Sequence, residues 1–158
     1  MAYLKPKRES TQAEVLARLE RYCAYQDRCH AEVREKLKDF SLTPDEKENI
    51  ICCLIEGRFL DEERFARSFA RGKFRVKQWG RVRISRELRA RGIQPRLVEA
   101  ALGEIDEREY DEVFRSLLEA KKKEAGGLAT RAQVAKVYNF MVSKGYETER
   151  VWESLNVK

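Results

Sequence analysis

Apolar residues recur along this chain at spacings of three and four, in short runs closed by glycine or proline, and that period is helical. Thr11 and Glu14 form a Thr-x-x-Glu capping pattern ahead of Val15, Leu16, Leu19, Tyr22 and Cys23, which predicts a first helix. Cys29 and Glu32 repeat that spacing, with cysteine where Ser or Thr is usual, and introduce a short helix through Val33 and Leu37 that should end near Phe40. Thr43, Pro44 and Glu46 combine a cap, a first-turn proline and a closing acid, and launch a third helix through Ile50, Ile51, Leu54 and Ile55 to Gly57. Within it the run IICCLI reads as a buried segment.

The same order then returns. Leu60, Asp61 and Phe65 set out a cap with a hydrophobic staple, Glu62 and Glu63 suit the first turn, and a helix should run to about Gln78. Gly80 opens a helix carrying Ile84 and Leu88, Gly92 closes it, and Pro95 starts a short helix through Leu97, Val98 and Leu102. Ile105, Asp106 and Tyr110 match Leu60, Asp61 and Phe65 at a constant offset of 45, with Phe114 opposite Phe69. Thr130 and Gln133 cap a helix through Val134, Val137, Tyr138 and Met141 to Gly145, and Val151, Trp152 and Leu155 complete a last one. Leu88 to Leu102 aligns without a gap on Met141 to Leu155, so that Gly92 meets Gly145, Ile93 meets Tyr146 and Val98 meets Val151. A period near 50 residues implies units too small to bury a core alone, which stack on their neighbours. The expected fold is all-α: three tandem three-helix repeats stacked into an elongated, curved body. The units fall at 11–57, 58–104 and 105–158, behind a flexible basic arm over 1–10.

Charge changes this picture in one place. The chain carries 33 Lys and Arg against 27 Asp and Glu, a net of +6. Between Arg64 and Arg96 there are 12 cations and one acid, Glu87, so that segment alone carries +11. At about 100° per residue, Arg64, Arg67, Arg71 and Arg75 share an arc of about 80°, while Phe65, Phe69 and Val76 lie on another arc, expected to be core. On the next helix Arg83, Arg86 and Arg89 lie opposite Ile84 and Leu88. A solvated face usually interleaves acids at i, i+4; one with almost none favours an anionic partner, either nucleic-acid phosphate or an acidic protein groove. The candidate surface comprises Arg64, Arg67, Arg71, Lys73, Arg75, Lys77, Arg81, Arg83, Arg86, Arg89 and Arg91, extended by Lys121, Lys122 and Lys123.

Other residues invite functional readings that fare less well. Asp61, Glu62 and Glu63 are better explained by capping than by metal binding. Trp79, between the two basic helices, is expected to pack at their joint rather than stack on a base. His30 lacks a nucleophile or metal partner in sequence, and Cys23, Cys29, Cys52 and Cys53 form no CxxC pair, so free and mostly buried thiols are expected. No phosphate-cradling loop, nucleophile elbow, zinc spacing or EF-hand pattern is present; no enzyme, cofactor or metal is expected. The opening MAYLKPKRES lacks a long apolar core, and no stretch approaches the roughly 20 apolar residues that span a bilayer, so a cytoplasmic protein without a membrane partner is expected.

The middle segment resembles the signature of the bacterial RecX regulatory family. Its aromatic-Leu-Asp-acidic-x-Arg-Phe element is here Phe59, Leu60, Asp61, Glu62, Arg64 and Phe65. Its Lys-x-x-Gly-x-x-x-Ile-x-x-Glu-Leu element, ending in Lys/Arg-Gly-Ile, is here Lys77, Gly80, Ile84, Glu87, Leu88, Arg91, Gly92 and Ile93. The family's glycine-rich joint is replaced by Gln78, Trp79, Gly80 and Arg81, and Cys29 stands where relatives tend to carry Ser. The resemblance implies a regulator, usually an inhibitor, of the RecA recombinase, lodged in the groove of the RecA filament on DNA. It would restrain recombination, ATP hydrolysis and coprotease activity in DNA repair and the SOS response. The implied partners are the RecA filament and, weakly and without sequence preference, single- and double-stranded DNA, with the protein itself a monomer. The alternative is a stand-alone helix-turn-helix-like protein acting on duplex DNA.

Overall fold

The structure, a computed structural model, describes residues 6–7 and 9–156. Most of the arm expected over 1–10 lies outside the described residues. Nine helices follow in order among the described residues: α1 (Gln12–Tyr25), α2 (His30–Leu37), α3 (Pro44–Glu56), α4 (Glu62–Lys77), α5 (Arg81–Ala90), α6 (Pro95–Leu102), α7 (Glu107–Ala125), α8 (Arg131–Lys144) and α9 (Thr148–Asn156). The fold class is all-α, as expected.

Local chemistry sets most of the boundaries. The Thr11 hydroxyl accepts from the Glu14 N–H, and reciprocal capping boxes join Thr43 to Glu46 and Thr130 to Gln133. Pro44 and Pro95 occupy first turns, where the missing N–H costs nothing. Cys29 takes the N-cap position of α2 with no side-chain cap bond. It is fully buried instead, so its thiol fills core where a hydroxyl would have capped. α3 ends at Gly57 with φ −77°, and the left-handed turn falls one residue later, on Arg58 at φ 60°. α4 stops at Lys77 because Gln78 turns left-handed, at φ 57°.

The chain divides into two compact units. The first holds the described residues up to Phe65 together with Arg91–Ile93. Its core gathers Val15, Leu19 and Cys23 of α1, Val33 and Leu37 of α2, and Ile50, Ile51 and Leu54 of α3, with Phe40 and Leu60 from the connections. The expectation of mostly buried thiols fails for Cys52 and Cys53, which are exposed. A run of six apolar residues covers more than a full turn, and a helix packed on one side must turn part of it outward. Ile50, Ile51 and Leu54 take the inner face, which leaves Cys52, Cys53 and Ile55 outside.

The second unit holds Ala66–Ala90 and the described residues from Gln94 onward. Its core includes Ala66, Ala70, Phe74, Ile84, Leu88, Val98, Ala101, Phe114, Leu118, Val137, Met141 and Val151. A run of rings passes through it: Phe74 stacks on Tyr110 at 5.8 Å, and Tyr146 meets both Tyr110 and Phe114 at 5.4 Å. Val76, expected in the core, is 77% exposed. Phe74 takes the inward position in the last turns of α4, two residues before it, and Val76 falls on the outer face.

One backbone joint organises this unit. The turn from Lys77 to Val82 lies against the turn from Lys144 to Tyr146: the Gly80 N–H donates to Lys144 O at 2.8 Å and the Val82 N–H to Gly145 O at 2.9 Å. Lys144 Nζ and the Tyr146 hydroxyl donate in turn to Lys77 O and Gln78 O, each at 2.9 Å. Such an approach needs residues without side chains. A Cβ on Gly80 would overlap the Gly145 carbonyl and stand 2.5 Å from Tyr146 N. Gly145, at φ 101°, would carry its own Cβ to 2.7 Å from Arg83 N.

Candidate cationic surface

In the first unit Arg64 is engaged rather than free. Its Nε donates to Asp27 Oδ1 at 2.7 Å and its Nη2 to Phe59 O at 3.2 Å, while its backbone N–H is capped by Asp61 Oδ1 at 3.0 Å. Glu62, read from sequence as a first-turn acid only, also takes His30 Nδ1 at 2.8 Å. Burial pushes the Glu62 carboxyl above its usual range, and the neighbouring His30 imidazole opposes that. His30 is thus a structural histidine with a partner.

In the second unit α4 and α5 display the cations, and acids distant in sequence take up several of them. Arg67 binds Glu104, and Arg71 reaches the other oxygen of the same carboxylate at 3.4 Å. These guanidinium groups, Arg67 first, hold the Glu104 carboxyl below its usual range. Arg81 pairs with Glu107 and lies 3.8 Å from Glu147, its guanidinium 3.9 Å over the Tyr110 ring. Arg150 joins the same acids, 3.1 Å from Glu107 and 3.8 Å from Glu147. Lys121 and Lys122 pair along α7 with Glu124 at 3.0 Å and Glu119 at 3.1 Å. Local i, i+4 spacing does not reveal the acids that take up Arg67, Arg71 and Arg81, which folding supplies from α7 and from the turns before α7 and α9.

Trp79 sits at the joint, as expected. Its ring is edge-on to Phe69 at 6.3 Å, with the Arg83 guanidinium 4.1 Å and Lys73 Nζ 5.0 Å from its centre. Arg83 also donates to Ser143 O at 3.2 Å. Arg75, Lys77, Arg86, Arg89 and Lys123 are exposed, and among the described residues they make no ion pair. Arg91, in the first unit, is half-buried and has a partner of its own.

Val82, Ser85, Arg86 and Arg89 stand at i, i+3, i+4 and i+7 on α5, and with Arg81 and Leu102 they line an open groove of about 420 Å³. Sequence reasoning placed the arginines on this face but missed Val82, Ser85 and Leu102. Val82 and Ser85 share the i, i+3, i+4, i+7 spacing of Arg86 and Arg89, whereas Leu102, on α6, carries no local signal. A second depression, of about 510 Å³, is lined by residues of α8, Leu128 to Thr130 before it, and Trp152 of α9. Among the described residues no group of three or more His, Cys, Asp or Glu side chains could hold a metal ion, and no helix is long and apolar enough to cross a membrane.

These features define an all-helical repeat protein with a cation-bearing face. The family model described as "RecX, second three-helix domain" matches residues 61–102, the span of α4 to α6 with their caps. The chain is 28% identical to the Regulatory protein RecX of Prosthecochloris aestuarii, over 94% of this chain and 95% of that one. It is 29% identical to the Regulatory protein RecX of Salmonella arizonae, over 93% of this chain and 95% of that one. With the Regulatory protein RecX of Lactobacillus gasseri it shares 27% identity over 81% of this chain and 47% of that one. The chain spans about half the length of the Lactobacillus gasseri and Lactobacillus johnsonii relatives it matches. The crystal structure of RecX from Lactobacillus salivarius has the same fold, with a TM-score of 0.77 at 22% identity over 92% of this chain and 96% of that one. A second regulatory protein RecX structure gives 0.79 at 24% identity over 91% and 70%. The chain is thus similar to regulatory RecX proteins along most of its length, with the family-model match lying over its middle helices.

Proposed function

We propose that this protein regulates the RecA recombinase by docking on its filament on DNA, and that it inhibits recombination, ATP hydrolysis and coprotease activity without chemistry of its own. The observation that carries this reading is a set of exposed cations, Arg75, Lys77, Arg86 and Arg89, with no internal carboxylate, on a chain whose family relatives are named as regulatory proteins. Like charges gathered on adjacent helices cost stability in isolation and are relieved by an anionic partner. Arg67, Arg71 and Arg81 have an internal role first: they hold the helices that present the others, and their remaining donors are available at the edge of the surface. In the second unit Lys73, Arg83 and Lys121 to Lys123 extend the proposed surface; in the first unit Arg64 and Arg91 are proposed as further contacts of that unit with the same partner.

We also read the helices as three repeat units, α1 to α3, α4 to α6 and α7 to α9, within 11–57, 58–104 and 105–158. The family match over α4 to α6 supports the second. The protein acts as a cytoplasmic monomer in this reading and binds naked DNA weakly.

Binding to labelled single- and double-stranded oligonucleotides, measured with and without RecA and across salt concentrations, tests the proposal. Binding to DNA alone should be weak and should fall steeply with salt, and RecA filaments should raise it. Tight, sequence-specific binding to naked duplex that RecA does not alter would instead support a stand-alone DNA-binding protein.

A further inference from the structure

We propose that the groove on the outer face of α5 docks an acidic amphipathic helix of a protein partner, seating an aliphatic side chain on Val82 and Leu102 and its carboxylates on Arg86 and Arg89. This rests on the filament-regulator reading and names the component of the nucleoprotein filament that this groove takes: the protein rather than the DNA.

Four of the six lining residues form one continuous helical stripe, so the groove runs along α5 and suits a partner of the same period. Its floor is apolar: Val82, at the N-terminal end of the stripe, is 48% exposed, and Leu102 is half-buried. Its rim is purely cationic, because no acid lines it and the Arg81 charge is already committed to Glu107 and Glu147. Arg86 and Arg89 are exposed, unpaired among the described residues, and one turn apart. That spacing matches carboxylates at i and i+3 or i+4 of a facing helix, where fork-shaped bidentate contacts are strongest. Half-buried Ser85 lies on the stripe between Val82 and Arg89 as a neutral donor or acceptor. A phosphate backbone would use the arginines but would leave the Val82 and Leu102 floor in contact with nothing apolar, whereas an amphipathic helix satisfies both parts.

The test uses the full chain and three labelled probes in fluorescence anisotropy: a synthetic helical peptide with Leu and Glu at i, i+3, i+4 and i+7, its counterpart with Lys for Glu, and oligo(dT). The Leu/Glu peptide should bind, and the Lys peptide should not. Arg86→Glu with Arg89→Glu should weaken the Leu/Glu peptide by about tenfold or more, as loss of charge-assisted bonds does. Val82→Ser should weaken it several-fold and leave oligo(dT) binding unchanged, and circular dichroism should show both variants folded. Peptide binding that ignores Val82→Ser is plain charge attraction and overturns the proposal. Binding of oligo(dT) alone, sensitive to Arg86 and Arg89, also overturns it. RecA ATPase measured in parallel separates the two levels. Inhibition that survives loss of peptide binding refutes the groove and leaves the regulator reading standing; peptide binding without any effect on RecA does the reverse.

Discussion

Replacing Gly80 with alanine adds one methyl group at the closest backbone approach in the second unit. Gly80 does not need a left-handed conformation, so the whole effect comes from contact. The new Cβ would overlap Gly145 C and O and lie 2.5 Å from Tyr146 N, and these are backbone atoms that cannot rotate away. Relief requires the two turns to separate, which stretches the Gly80 N–H to Lys144 O bond at 2.8 Å and the Val82 N–H to Gly145 O bond at 2.9 Å. Overpacking costs about 1–3 kcal/mol and each lost hydrogen bond about 1 kcal/mol, for a total of about 3–5 kcal/mol. In a domain of this size that lowers Tm by roughly 6–20 °C. Gly72→Ala is the matched control: Gly72 is exposed within α4 with nothing within 4 Å of a Cβ, and alanine there should stabilise by about 0.5–1 kcal/mol. Thermal unfolding followed by circular dichroism at the helical band reads both. A Gly80→Ala variant that melts no lower than the parent would refute the joint as drawn.

Three further outcomes follow from the same structure. Tyr110→Phe removes a hydroxyl that accepts from Arg81 N–H at 3.2 Å and donates to Glu147 at 2.7 Å, and should cost about 1–3 kcal/mol in chemical denaturation. Burial raises the Tyr110 phenol above its ordinary value, so its contribution is complete below the unfolded pKa of about 10 and is lost as pH rises through the higher folded value. Stability should therefore decline above about pH 10, and less steeply in Tyr110→Phe. Of the four thiols, Cys52 and Cys53 should react with an aromatic disulfide reagent in the folded protein, while Cys23 and Cys29, buried and with thiol pKa raised chiefly by that burial, should react only on unfolding; four equal rates would contradict the assignment of α3 faces.

Much of the fold was legible because capping chemistry is local. Thr43 with Glu46, Thr130 with Gln133, Asp61 and Asp106 each announced a helix start that the structure contains. The offset alignment paired Gly92 with Gly145, and both are left-handed, at φ 76° and 101°. What failed was decided by which side of a helix found a neighbour. Cys52, Cys53 and Val76 are apolar or nearly so, and only packing determines that they face outward. The cationic surface was legible as composition but not as pairing: Glu104 sits 37 residues from Arg67, and Glu107 sits 26 from Arg81, beyond any local rule. Folding therefore sorts the arginines into those that brace the helices and those that remain outward, a division on which the functional reading now depends.

The most direct measurement is the rate of ATP hydrolysis by RecA on single-stranded DNA, titrated with this protein and with the Arg75→Glu, Arg86→Glu, Arg89→Glu triple variant. The parent protein should progressively suppress hydrolysis, with the variant needing about tenfold more or failing altogether. Hydrolysis unchanged by an excess of the parent protein would contradict the assignment of this chain as a filament regulator, and equal suppression by parent and variant would contradict the docking face.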